Sequence, residues 1–145
     1  MLKIKDKMNG IIRIAIKGCS GYGPYDLAYN DKVTLTRESI QYLYKPLCVS
    51  EENQPRKWSY RTDRPEFGKL WDELCLLIPV VLVQEEEMVL DGSEVTFTVT
   101  YEDKSKIVKT FWSPYGEPFT SCFRLMKKMI PGGEKVPEVL WTEDE

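Results

Sequence analysis

Apolar residues recur at helical spacing over residues 65–79. Phe67, Leu70, Trp71, Leu74, Leu77 and Ile78 fall at i, i+3, i+4, i+7, i+10 and i+11, which is one stripe of a 3.6-residue helix. Asp63 stands three residues before Glu66, the spacing of a capping box, and Pro79 reads as the end of the run. The same offsets return in Phe119, Cys122, Phe123, Met126, Met129 and Ile130, closed by Pro131. A Trp-Ser pair precedes each stripe, Trp58-Ser59 and Trp112-Ser113, and a Val-Thr-x-Thr run lies upstream of each, at 33–36 and 95–98.

Elsewhere the period is two. Ile12, Ile14 and Ile16 alternate with Arg13, Ala15 and Lys17, the pattern of a half-buried strand. Residues 26–29, 33–36 and 40–44 read as further strands, separated by Asn30-Asp31-Lys32 and by Arg37-Glu38-Ser39. Residues 58–61 read as a short strand before the first helix, and 80–90 as another after it. Val95, Phe97, Val99 and Tyr101 face one way while Thr96, Thr98 and Thr100 face the other, and a turn at 102–105 folds this strand onto 107–112 as a hairpin. Residues 1–10, with Leu2 and Ile4 among lysines, read as an edge leader. Pro137, Val139, Leu140 and Trp141 give the tail an apolar side that packs back on the body.

The expected fold is α+β: an antiparallel sheet with both amphipathic helices packed on one face, in a strands-then-helix arrangement that occurs twice. The chain reads as a single domain over 1–145, with pseudo-repeat halves 11–79 and 80–131 and a short tail 132–145. The opposite sheet face carries Arg13, Lys17, Thr34, Thr36, Thr96, Thr98 and Thr100. It is either solvated or a contact surface.

Composition narrows the function classes. With 20 basic and 23 acidic residues the net charge is −3, so no overall basic field draws in nucleic acid or an anionic membrane; a local patch is not excluded by the total. The longest apolar run, near 74–83, is short of the ~18 residues of a membrane span. Arg13 and Lys17 break the N-terminal apolar stretch, which argues against a signal peptide. Cys19, Cys48, Cys75 and Cys122 are widely spaced with no CxxC pair, and read as structural thiols of a soluble cytoplasmic protein.

The chain has no histidine, which removes Ser-His and Cys-His nucleophile pairs and the commonest metal ligand. No phosphate-binding loop, nucleophile elbow or zinc spacing is present, and the sequence calls for no cofactor and no metal. Three stretches carry candidate chemistry. The glycine-rich turn at 18–23, with Lys17 and Cys19, would be the seat of a histidine-free enzyme; a wide hairpin connection using glycine for positive φ is the favoured reading of it. The acidic runs at 72–73, 85–87 and 143–145 read as solvated charge. The tyrosines concentrate in the first half, and Tyr22, Tyr25, Tyr42 and Tyr44, with Cys19, are the candidate binding residues, since Tyr pairs a large apolar ring with a polar tip. The function expected is a non-catalytic binding or protein-interaction module, taking a protein partner or small ligand at the polar sheet face or the tyrosine-rich half. The alternative is the enzyme centred on Cys19 and the 18–23 turn. A nucleic-acid binder is the least expected, because a single-strand binder adds a cationic groove to its aromatics.

Overall fold

A computed structural model describes residues 10–20, 27–86 and 93–140. Within them, six antiparallel strands form one sheet: β1 (Ile11–Cys19), β2 (Tyr29–Thr36), β3 (Ser39–Pro46), β4 (Arg56–Arg61), β5 (Glu94–Tyr101) and β6 (Lys106–Trp112). Helix α1 (Pro65–Leu82) follows β4, helix α2 (Phe119–Lys128) follows β6, and a 3-10 turn, Glu138–Leu140, ends the described chain. The spatial order is β4-β3-β2-β1-β5-β6. Strands-then-helix therefore occurs twice, with four strands in the first unit and two in the second.

The two Val-Thr-x-Thr runs are the inner neighbours of β1. Ile16 lies opposite both Val33 and Phe97, and Ala15 opposite both Thr34 and Thr98. Opposed residues share a face, so Ile14, Ile16, Val33, Leu35, Phe97 and Val99 form an inner face that is fully buried. The helices cover this face: Phe67, Trp71, Leu74 and Ile78 of α1 and Cys122, Phe123 and Met126 of α2 join the same core.

Several local expectations are corrected. Ile12 does not join Ile14 and Ile16, because a bulge between Ile11 and Arg13 inserts one residue. Ile11 turns inward opposite Tyr101, and Ile12 is left 42% exposed. Asn30-Asp31-Lys32 is no break; Tyr29–Thr36 is one continuous strand. Helix α1 runs past Pro79 to Leu82, so the expected strand at 80–90 begins as helix, and its residues 87–90 lie outside the described ones. Proline removes one ladder hydrogen bond, but continuing the helix buries Val81 and Leu82, 0% and 6% exposed, beside Leu74 and Ile78. The capping box is absent: the N-cap is Arg64, without a side-chain cap, and Pro65 opens the helix at its first turn. In the second stripe, α2 stops at Lys128, so Met129 and Ile130 follow as the turn that caps it. The Trp-Ser pairs are not equivalent either. Trp58 opposes Tyr42 on the inner face, while Trp112 opposes Glu94 on the outer one.

Among the described residues no helix is long and apolar enough to cross a membrane.

Candidate functional site

Tyr22 and Tyr25, and the turn beyond Ser20, lie outside the described residues. Tyr42 and Tyr44 do share a strand face, and it is the inner one: they are 3% and 7% exposed. Their hydroxyls are committed within the fold. Tyr42 donates to Asp31 Oδ2 at 2.9 Å, and Tyr44 donates to Asn53 Oδ1 at 2.6 Å. The Tyr44 ring stacks on Tyr29 at 5.1 Å, and the Arg56 guanidinium sits 4.1 Å from its centroid.

Asp31 is the centre of this end of the sheet. The inward period of β2 continues through Leu35, Val33 and Asp31, which places a carboxylate in the core at 2% exposure. Its Oδ2 accepts from Tyr42 and from the Val139 N–H at 3.0 Å, tying the C-terminal turn to the sheet. Its Oδ1 is buried without a hydrogen bond. Gly18 stands opposite, and a Cβ there would fall 2.5 Å from Oδ1 and 2.8 Å from Val139. That close approach explains the glycine. Burial outweighs the two donated hydrogen bonds and raises the Asp31 pKa from 3.8 to about 6.

Cys19 and Gly18 border a cavity of about 260 Å³ that Tyr29, Asp31, Glu94 and Glu138 also line. The cavity is acidic, which bears on the thiol. Burial and the neighbouring Glu94 push Cys19 above its ordinary value, and Lys17 opposes them less strongly. A nucleophilic thiol needs the opposite shift. Alkylation of Cys19 followed across pH should give a midpoint above that of a free cysteine, near ~8.5. A midpoint well below it would restore the turn as a catalytic candidate. Cys75 is pushed up to about 12 by burial, and Cys122 is raised by burial alone. Among the described residues no group of three or more Cys, Asp or Glu is placed to hold a metal ion.

The other face of the sheet has no helix over it among the described residues, and its strand positions can be read off the register. One row across four strands is Lys57, Leu43, Lys32, Lys17, continuing into Thr96 and Thr110. The next row along the strands is uncharged: Ser59, Gln41, Thr34, Ala15, Thr98 and Val108. Beyond it stand Arg61, Arg13 and Lys106, and Lys45 lies on the far side of the first row. Glu94 is the one carboxylate that the described strands place on this face. Of the cations, only Arg61 has a carboxylate partner among the described residues, Glu38 at 3.4 Å.

Lys17 and Lys32 are directly opposed across β1 and β2, where like charges repel. A shallow depression of about 650 Å³ opens beside them, lined by Lys32, Thr34, Gln41, Tyr42, Leu43, Lys57, Trp58 and Ser59. Arg13 and Lys17 are where the strand period puts them. Lys32, Lys45 and Lys57 stand one residue outside the strands that the sequence predicts at 33–36, 40–44 and 58–61, and inside the strands of the structure. Thr100 is on this face too, but covered, at 7% exposure.

No family model, no curated protein and no solved structure matches this chain, so the reading of the site rests on its own residues.

Proposed function

We propose that the protein is a non-catalytic binding module whose contact surface is the face of its sheet opposite the helices. One observation carries this reading. A chain of net charge −3 gathers Lys17, Lys32, Lys45 and Lys57 on one side of four neighbouring strands, with no carboxylate partner among the described residues. Holding like charges side by side costs stability, and interspersed glutamates would relieve it. The inner tyrosines do not compete for the role, because their rings and hydroxyls are used in the core. The raised Cys19 thiol gives the enzyme alternative no support.

Lysine acetylation in an extract of the cells that make the protein tests the surface without knowing the partner. Lys17, Lys32 and Lys57 should react several-fold more slowly in the extract than in the purified protein. Lys69 on α1 and Lys104 in the β5–β6 turn, both exposed and off this face, should react equally in both. Equal rates at all five lysines would remove the face as a contact surface.

A further inference from the structure

We infer that the partner of this face is an acidic polypeptide segment, an assignment that rests on reading the face as the contact surface. Charge complementarity gives the sign. Lys57, Lys32 and Lys17 span three strand spacings, about 14 Å at ~4.8 Å each. Lys45 stands on the neighbouring row, and Arg13 stands two rows away on the other side. The spacing suits a short extended segment laid across the strands.

The neutral residues decide what kind of anion fits. Leu43 stands between Lys57 and Lys32 and is 36% exposed, and Val108 is 58% exposed on the same face. These are apolar anchors for side chains. Ser59, Gln41, Thr34 and Thr98 add hydroxyl and amide groups that hydrogen-bond to a polypeptide backbone or carboxylate.

A nucleic-acid strand would want aromatic rings on which bases stack. Among the described residues the register turns Trp112 to this face, at the β6 edge and away from the lysine row, while Tyr42 and Trp58, which border the depression, point to the inner face. The rest of the molecule also argues against a long phosphate ladder. The face is positive while the whole chain is −3, so the rest of the chain carries a net negative charge that disfavours a polyanion extending past the patch. A short acidic segment ends before it meets that field.

The test uses the intact protein with three labelled probes of equal length, each short enough to end within the patch: poly-L-glutamate, poly-L-glutamine and single-stranded DNA. Fluorescence anisotropy should show poly-L-glutamate binding that weakens as salt rises, with poly-L-glutamine not binding. The triple variant Lys17→Gln, Lys32→Gln, Lys57→Gln should lose at least tenfold in affinity with an unchanged or higher thermal midpoint, since a repulsive pair has been removed. Poly-L-glutamate that fails to bind, or binds the variant as well, overturns the assignment. DNA binding tighter than poly-L-glutamate, and lost in the variant, also overturns it and gives the face to nucleic acid. Failure here with the extract protection of Lys17, Lys32 and Lys57 intact removes only the acidic partner. Loss of both removes the contact surface as well.

Discussion

Truncating Phe97 to alanine should destabilise the fold by about 3–5 kcal/mol, the range for a fully buried aromatic. Phe97 is 0% exposed at the middle of β5. Its ring meets Phe111 of β6 edge-on at 5.8 Å, Phe119 at 6.5 Å and Phe123 of α2 in a stack at 6.0 Å. One side chain thus joins the strand beside β1, the edge strand and the second helix. Removing it leaves a void on three sides and forfeits aromatic pairs worth about 0.5–1.5 kcal/mol each beyond their burial. For a domain of this size the thermal midpoint should fall by roughly 10–20 °C. Should the alanine variant not fold, Phe97→Leu keeps most of the volume and should cost less than half as much. A midpoint unchanged in both variants would mean that α2 does not pack on β5.

The aromatic cluster was legible in advance because both of its periodicities are local. Phe97 declares itself by alternating with threonines, and Phe119 and Phe123 by their i, i+4 spacing. Burial of one face of each element then follows from elementary packing. What local pattern could not supply was anything settled by a distant partner. Asn30-Asp31-Lys32 has turn composition, and only the pairing of β2 with β1 and β3 keeps it extended. Pro79 reads as a stop because proline removes a donor. The helix passes it because Val81 and Leu82 have a core to enter. Ile12 was misplaced by a bulge, an insertion that leaves no mark on the alternation of apolar and charged residues.

The same distinction separates the two parts of the site. The sign of the face opposite the helices follows from strand parity, and only the strand ends are needed to add Lys32, Lys45 and Lys57 to Arg13 and Lys17. Net charge leaves this face open, because a total of −3 is compatible with a segregation of charge between faces. The tyrosines were visible by composition, but their hydroxyl partners were not. Tyr42 reaches a carboxylate eleven positions away, and that carboxylate reaches Val139 across 108 positions. No spacing rule links them.

Asp31→Asn should change how stability depends on pH, and the sign follows from the buried carboxylate. In the folded protein the group has a pKa of about 6 against 3.8 when free. Between these values the native state holds the proton more tightly than the unfolded one, so stability falls as pH rises from about 4 to about 6. The shift of roughly two units corresponds to about 3 kcal/mol. Other carboxylates act in the opposite direction: Glu86, which accepts from the Thr110 N–H, has its pKa lowered. The informative quantity is therefore the difference between variant and parent at each pH.

An asparagine oxygen can still accept from Tyr42 and Val139, while its amide takes the place of Oδ1 against Gly18 and cannot ionise. Near pH 4, where Asp31 is neutral, the variant should be level with the parent or slightly less stable, by the cost of one unanswered amide. Near pH 7 it should have gained about 3 kcal/mol relative to the parent. Urea unfolding at both pH values measures the gain. A difference that stays constant from pH 4 to pH 7 would place the Asp31 carboxylate in water and detach the C-terminal turn from the sheet.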